Sequence, residues 1–227
     1  MDFSVKVNEV NRKEDSNVRG FASVVFGGSF KISNIVILEN QEKGNLYISM
    51  PRYKTNEKDE NGKNVYRDIC NPITAQFREE LYGAILDAFE KQITEEVHYT
   101  RGEQVTLPGF TVSIFPYERD GSNIRGFGKV CFDDQFIVNN ISILQGKQNL
   151  YISMPSYKTK QVEEDGKPIY QDVCYPITKH FREKLYDAIM EEYEKVKKAA
   201  KDKVKKTEGE VRQQPYRNSV PSNGYHK

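Results

Sequence analysis

One block of this sequence occurs twice. The heptapeptide Asn-Leu-Tyr-Ile-Ser-Met-Pro at 45–51 returns unchanged at 149–155. Aligning 45–91 with 149–195 gives 28 identities in 47 positions without a gap. Upstream, Asn-Val-Arg-Gly-Phe at 17–21 corresponds to Asn-Ile-Arg-Gly-Phe at 123–127, so the intervening loop is two residues shorter in the second copy. A repeat of this length exceeds the units of solenoid proteins and predicts a whole domain copied in tandem.

Charge is distributed unevenly along the chain. Residues 1–195 contain 25 Lys and Arg against 30 Asp and Glu, a balance of −5. Residues 196–227 contain 9 basic and 3 acidic residues, a balance of +6. Because the body is not basic, any nucleic-acid binding has to come from a local patch or from this tail.

Cysteine content and hydropathy indicate the cellular compartment in which the protein is expected. Three cysteines, an odd number, argue against a disulfide framework and fit a reducing cytoplasm. Cys70 and Cys174 occupy equivalent places in the two copies, and we expect both to be buried core residues. Apolar runs such as Ile35–Leu38 are far shorter than the roughly 20 residues that span a bilayer. No signal-peptide pattern is visible either, so we expect a cytoplasmic protein with no membrane partner.

Each copy is predicted to contain strands followed by one helix. The strand signals are β-branched and aromatic runs bounded by Gly, Pro or charged turns. In the first copy they fall at Val5–Val10, Val18–Phe26, Phe30–Leu38, Leu46–Met50 and Val65–Cys70, with a charged loop at Thr55–Asn64. In the second they fall at Phe110–Phe115, Ile124–Phe132, Phe136–Leu144, Leu150–Met154 and Ile169–Val173. The predicted fold class is therefore α+β, with two tandem domains of about five antiparallel strands and one C-terminal amphipathic helix each.

The helices are predicted from an apolar residue at every fourth position. These positions are Ile73, Phe77, Leu81, Ile85 and Phe89, and then Ile177, Phe181, Leu185, Ile189 and Tyr193. Thr74 and Thr178 are the expected N-caps. Tyr82 and Tyr186 widen the apolar stripe, which favours packing on the domain's own sheet and leaves room for contact with another subunit.

These patterns set the domain boundaries. We expect a first domain at 1–92, a polar linker at 93–108 and a second domain at 109–200. The second helix should continue through Val196–Lys206, and the basic segment 201–227 should be disordered. That tail could tether a partner or only aid solubility, and the sequence leaves both interpretations open.

Nothing in the sequence supports catalysis. The histidines His98, His180 and His226 do not recur between the copies, and no P-loop, nucleophile elbow or His/Cys metal spacing is present. Asp68 and Asp172 are shared, but a base needs a nucleophile or metal that the copies do not jointly provide. We therefore expect no enzyme activity, no metal, no cofactor and no small-molecule substrate.

The order of motifs resembles the stage V sporulation protein G (SpoVG, septation protein) family. In the second copy the resemblance is carried by the segments Ile124–Phe127, Phe132–Phe136, Ile152–Thr159, Tyr170–Thr178, Phe181–Leu185 and Ala188–Tyr193. The resemblance implies a curved antiparallel sheet with a helix, dimerisation, a link to septation and sporulation, and regulators that bind DNA or RNA. Members usually have one domain, so here the copies could pair within one chain or between chains.

Two groups of residues could contact nucleic acid. Lys54 and Lys158 each follow a tyrosine in a Tyr-Lys-Thr segment, which offers a stacking face beside a phosphate contact. The alternative is an ordinary solvent-exposed loop. At the helix starts the candidates are Arg78, Lys179, Arg182 and Lys184, because cations there add to the positive end of the helix dipole. The alternative in the first copy is an intrahelical Arg–Glu pair, since Glu80 stands where the second copy has Lys184.

Arg19 and Arg125 lie in the repeated Asn-x-Arg-Gly-Phe segment. Either could contact phosphate, but we favour strand-edge pairing with Asp68 and Asp172.

Two hypotheses follow for function. The first is a tandem regulator of septation or sporulation that binds DNA or RNA through these cations. The second is a non-enzymatic assembly or scaffolding protein that acts through dimer surfaces and a protein partner.

Overall fold

The computed structural model describes residues 1–11 and 16–211. The first half contains β1 (Phe3–Glu9), β2 (Val18–Phe26), β3 (Phe30–Glu39), β4 (Leu46–Ser49), β5 (Arg52–Lys58), β6 (Asn64–Asp68), β7 (Cys70–Pro72), α1 (Ala75–Glu90) and β8 (Val97–Tyr99). The second half contains β9 (Phe110–Pro116), β10 (Ile124–Phe132), β11 (Phe136–Gln145), β12 (Leu150–Ser153), β13 (Ser156–Val162), β14 (Pro168–Asp172), β15 (Cys174–Pro176) and α2 (Lys179–Val211). The halves repeat one topology, and the predicted α+β class is confirmed.

The two halves exchange short strands. β7 of the first half pairs with β11 of the second, with Cys70 opposite Val138. β15 of the second half pairs with β3 of the first, with Cys174 opposite Ile32. Each half thus supplies a strand to the other half's sheet, and the copies pair within the chain.

The predicted fifth strands at Val65–Cys70 and Ile169–Val173 are wrong in extent. Each breaks after its aspartate, at Ile69 and at Val173, where the backbone leaves one sheet and enters another. Ile69 N–H donates to the Pro51 carbonyl at 2.8 Å, and the Ile69 carbonyl accepts from Asn139 N–H at 2.8 Å. This residue is therefore bonded to both halves, which an apolar pattern in the sequence does not reveal.

A single hydrophobic core spans both halves. Phenylalanines from the two sheets meet at its centre: the ring centroids of Phe26 and Phe136 are 4.9 Å apart, and those of Phe30 and Phe132 are 4.6 Å apart. Phe77 of α1 and Phe181 of α2 pack onto the same cluster. The halves share this core and are not separate globules.

The two helices close their own halves over the sheet. Thr74 is the N-cap of α1 and accepts from Phe77 N–H at 3.3 Å, as predicted. Thr178 accepts from Phe181 N–H at 3.4 Å in the same way. The apolar stripe is confirmed except at its first position, because Ile73 and Ile177 precede the helices and are exposed.

The segment predicted as a charged loop at Thr55–Asn64 is a loop only at its centre, because β5 extends to Lys58 and β6 begins at Asn64. β5 pairs with β6, with Lys54 opposite Tyr66, and β13 pairs with β14, with Lys158 opposite Tyr170. In the described part of the chain, neither two-stranded unit joins another sheet. We call them ribbon 1 (β5 and β6) and ribbon 2 (β13 and β14). The residues of β5 are nearly all exposed, so the segment has no buried face to produce the alternation that marks a strand.

The linker also contains a strand. β8 pairs antiparallel with β1, with Val97 opposite Val5. Further along, the linker crosses the Gly27 turn and is held by the side chain of Asp2. The polar composition of 93–108 concealed this docking.

Candidate nucleic-acid interface

Each ribbon presents a lysine and a tyrosine on the same face. Lys54 lies directly opposite Tyr66, and Lys158 lies directly opposite Tyr170, because the pairing registers of the two ribbons are equivalent. The tyrosines are 49% and 61% exposed. The pair is thus a cation beside an open aromatic ring, presented once by each half.

Ribbon 1 carries an additional arginine on this face. The Arg52 guanidinium lies over the Tyr66 ring, 5.1 Å from its centroid. Arg52 is also opposite Asp68, whose pKa is raised by burial and lowered, to a smaller extent, by this guanidinium. Ribbon 2 has Ser156 at the equivalent position.

The other face of each ribbon carries a second tyrosine. Tyr53 is opposite Arg67, and Arg67 forms an ion pair with Glu57 at 2.9 Å. Tyr157 donates its hydroxyl hydrogen to Gln171 Oε1 at 2.7 Å. Tyr157 also reaches the first half, where it lines a cleft over the outer face of that sheet.

The helix-start arginines both bind the exchanged strands. Arg78 Nη2 donates to the Pro72 carbonyl at 3.2 Å, and Arg182 Nη2 donates to the Pro176 carbonyl at 3.1 Å. Both side chains remain exposed, so a hydrogen bond to the backbone and a contact with an anion are compatible. The position is repeated because each arginine closes the end of an exchanged strand.

The helix-start lysines are more loosely held. Lys179 lies 3.8 Å from Glu183 and is 88% exposed. Lys184 Nζ lies over the Phe110 ring at 5.7 Å. In the first half Glu80 pairs with Arg101 of the linker at 3.1 Å, so the intrahelical partner predicted for this glutamate is replaced by a linker residue.

Each ribbon base lies close to the helix start of its own half. Tyr82 of α1 is half-buried, and burial raises its pKa; Arg78 opposes this shift and Asp68 adds to it. Tyr186 of α2 has the same relation to Arg182 and Asp172. In each half the ribbon-base aspartate, the helix tyrosine and the helix-start arginine are therefore neighbours.

The predicted pairing of Arg19 with Asp68 is wrong. Arg19 Nε donates to Glu39 Oε2 at 2.6 Å, because β2 and β3 are neighbours and the ladder brings Glu39 beside it. Arg125 does not pair with Asp172 either: its Nη1 donates to the Ser122 carbonyl at 2.7 Å and to the Ile124 carbonyl at 3.1 Å. The residue equivalent to Glu39 in the second half is the uncharged Gln145.

Three residues beside the candidate lysines, Arg52, Tyr66 and Tyr170, were not among the candidates named from the sequence. A signal was available in the Tyr-x-Asp motif that both copies keep at the end of the ribbon. This motif could be linked to the lysines only from the pairing register, which places Tyr66 and Tyr170 opposite Lys54 and Lys158.

The cysteine expectation is confirmed, since Cys70 and Cys174 are buried as free thiols. A hydrogen bond with the Cys174 side chain, together with burial, raises the pKa of Cys70. Within 1–11 and 16–211, no group of three His, Cys, Asp or Glu side chains is placed to hold a metal ion. Neither α1 nor the described length of α2 is long and apolar enough to cross a membrane.

The fold defines a class: a tandem α+β protein whose repeats exchange strands and each present a two-stranded ribbon with an exposed lysine opposite an exposed tyrosine. The chain belongs to the SpoVG family, whose model matches residues 2–91 and again residues 109–195. The resemblance inferred from the motifs is confirmed, as is its duplication.

Relatives named "Putative septation protein SpoVG" are similar to one copy at a time. The chain is 36% identical to that of Treponema denticola over 75 residues, which is 33% of this chain and 74% of the relative. It is 40% identical to that of Clostridium acetobutylicum over 85 residues, covering 37% of this chain and 83% of the relative. For Clostridium perfringens the identity is 43% over 74 residues, covering 33% and 76%.

Proposed function

We propose that this protein binds DNA or RNA through its two ribbons and acts in this way as a tandem SpoVG-family regulator. The observation that carries the proposal is the repeated pairing of an exposed lysine with an exposed tyrosine, Lys54 with Tyr66 and Lys158 with Tyr170. Both members of the pair are kept in both copies. Of the 17 aligned ribbon positions, fewer than half are identical between 52–68 and 156–172.

The chemistry of the pair suits a nucleic-acid strand. The ammonium group can neutralise a phosphate, and the exposed ring offers a stacking face to an unpaired base. The helix-start cations Lys179, Arg182 and Lys184 add positive charge to the second half. The acidic balance of 1–195 keeps attraction local, so we expect contact to be limited to these surfaces.

The names of the relatives suggest the process in which this regulator works. Each is named "Putative septation protein SpoVG" and matches about one copy, whereas the present chain holds two copies joined by exchanged strands. We propose a role in septation or sporulation, with the linked copies engaging two segments of one nucleic-acid target.

Fluorescence anisotropy at low salt, with labelled oligo(dT), oligo(U) and a DNA duplex as probes, tests the binding. Changing both Lys54 and Lys158 to Gln should weaken binding to the best probe and reduce the slope of log affinity against log salt by about 1.4 on a single strand. The matched control is Lys43→Gln, which removes an exposed lysine from the β3–β4 loop. A fragment ending at residue 195 separates the ribbons from the basic tail. Absence of binding at low salt to all three probes would contradict the proposal.

A second candidate function is supported by an exposed aromatic patch. Phe115, 56% exposed, lies opposite the half-exposed Phe127 on the outer face of the second sheet, and Tyr117 packs against Phe127 at 5.2 Å. Such a patch suits a protein partner in an assembly role. Changing Phe115 and Phe127 to Ser should then abolish self-association at high concentration in analytical ultracentrifugation while leaving nucleic-acid affinity unchanged.

A further inference from the structure

A cleft of about 610 Å³ lies between the first half's sheet and ribbon 2. Its wall is a row of side chains across three strands, because Phe21 is opposite Val36 and Val36 is opposite Ser49. Arg52 lies at one border and Tyr157 of the second half at another. Phe21 and Tyr157 are 40% and 38% exposed, so both rings retain open surface.

Asn34 contributes an unsatisfied donor to this cleft. Its side-chain Nδ2 is buried and has no hydrogen-bond partner among the described residues. A buried donor without an acceptor carries a desolvation cost that an incoming acceptor would remove. The backbone of Asn34 is left-handed, with φ 61°, at an irregularity in the β2–β3 pairing.

The equivalent position in the second half differs. Asn140 has the same φ of 61°, yet its side chain is exposed and its amide is not among the buried unsatisfied groups. Val36 and Arg52 are replaced by Ser142 and Ser156 there. The backbone requirement for Asn is thus common to both halves, while the buried donor beside an apolar wall and an arginine belongs to the first.

We propose that this cleft takes one unpaired nucleobase with its phosphate. The base would lie against Phe21 and Tyr157, an acceptor atom on the base would accept from Asn34 Nδ2, and Arg52 would contact the phosphate. The volume lies within the range of about 300–1,000 Å³ typical of small-ligand sites. The inference rests on the proposed nucleic-acid function when the base belongs to a strand, and the same chemistry would also accept a free nucleotide.

The donor defines what the base must offer. A carbonyl oxygen of uracil, thymine, cytosine or guanine can accept the Asn34 hydrogen, and a ring nitrogen of adenine can accept it as well. The cleft is therefore not expected to exclude adenine. We expect oligo(U) and oligo(A) of equal length both to bind, and the affinity of each to depend on Asn34.

Matched variants from the two halves test the cleft. Phe21→Leu and Asn34→Asp alter it, while Phe127→Leu and Asn140→Asp make the same changes at the equivalent positions outside it. Asp is used because it tolerates a left-handed backbone and replaces the donor by an acceptor. Affinities for labelled oligo(U) and oligo(A) are measured by anisotropy with the full chain, and the thermal midpoint of each variant shows that it is folded.

The expected result is a loss of fivefold or more in oligo(U) affinity for Phe21→Leu, with little change for Phe127→Leu. Asn34→Asp, which replaces the donor, should weaken the binding of both oligonucleotides by fivefold or more, and Asn140→Asp should change neither affinity by much. Equal effects in the two halves would overturn the cleft and leave the ribbon proposal standing.

Uridine 5′-monophosphate, titrated alone by calorimetry, distinguishes the two sources of the base. Binding that Phe21→Leu weakens, in a chain that binds no oligonucleotide, would support the cleft and overturn the proposed function. Failure of the unmodified chain to bind both the monophosphate and the oligonucleotides would overturn both proposals.

Discussion

At the scale of single residues, Asp2 shows how one side chain fixes a long connection. Its carboxylate, only 4% exposed, accepts hydrogen bonds from Thr106 N–H at 2.9 Å, Thr106 Oγ1 at 2.9 Å and Arg101 N–H at 3.0 Å. The backbone donors of Thr106 and Arg101 lower the pKa of Asp2 below its ordinary value of 3.8. The second residue of the chain thus holds a linker about a hundred positions away.

Changing Asp2 to Asn should destabilise the protein at pH 7, because the new amide group presents hydrogens to backbone donors. We expect a loss of about 1–3 kcal/mol in the free energy of unfolding. A lowered pKa means that the carboxylate stabilises the fold above pH 3.8 and that this contribution is lost as pH falls through the lower native pKa. Urea titrations at pH 7, 5 and 3 should therefore show the gap between variant and unmodified chain closing at acid pH. With the exposed control Asp120→Asn, a comparable loss at pH 7 would contradict the assignment.

Gly27 is a second single-residue constraint. Its φ is +49°, and a Cβ built there would lie 2.4 Å from the Thr106 carbonyl oxygen. Gly28 has a similar φ of +61° but open space around the Cβ position. The second half has Asp133 and Asp134 at this turn, also with positive φ, so the turn itself does not require glycine. Gly27 is required because the linker packs against it.

Gly27→Ala should be clearly more destabilising than Gly28→Ala. In both variants a left-handed alanine costs about 1–2 kcal/mol. Only Gly27→Ala adds a clash with the Thr106 backbone carbonyl, which cannot easily move. Chemical denaturation measures both free energies of unfolding. If the two variants lost equal stability, the linker would not be docked on this turn.

At the scale of elements, the arginines at the helix starts stabilise the fold, whereas the sequence had suggested only a role in nucleic-acid binding. Arg78 and Arg182 close the exchanged strands through the Pro72 and Pro176 carbonyls. Lys184, two positions after Arg182, lies over the Phe110 ring. Stability and nucleic-acid affinity should therefore separate between neighbouring cations of α2.

Arg182→Gln should lower the free energy of unfolding by about 1 kcal/mol, since it removes a hydrogen bond whose donor is exposed. Lys184→Gln should stay within about 0.5 kcal/mol of the unmodified chain, as surface changes usually do. In the anisotropy assay both should weaken binding under the proposed function. Equal stability of the two variants would show that the strand end does not depend on Arg182.

The sequence predicted elements better than it predicted their partners. β2 and β10 were placed with the observed bounds, since each alternates between a buried inner and a solvated outer face. β5 was missed because a ribbon exposed on both faces carries no such alternation. The break at Ile69 was missed because β-branched and aromatic residues favour a strand without specifying the sheet it joins. The lysines of the candidate site were foreseen, but their opposing tyrosines depended on register.

At the scale of the whole molecule, the two halves form one unit by exchanging strands. The acceptor position on β3 is filled by β15, and the acceptor position on β11 is filled by β7. The exchanged strands are Cys-Asn-Pro and Cys-Tyr-Pro, so they match at two of three residues. The central phenylalanines come from both halves, and neither half can bury its own inner face alone.

A fragment comprising residues 1–92 should therefore fold only by pairing with a second copy of itself. Its β7 has no β11 to join, but β3 of another copy accepts a strand of the same chemistry, as β3 accepts β15 in the full chain. Light scattering with size-exclusion chromatography should give twice the fragment mass. On dilution, circular dichroism should show that the dissociated fragment is unfolded and not a folded monomer. This is expected because the fragment can fold only when it associates. The full chain should elute as a monomer at the same concentration, since its exchange positions are occupied internally. A folded, monomeric fragment would show that each domain is stable alone and that strand exchange is not needed to form the core.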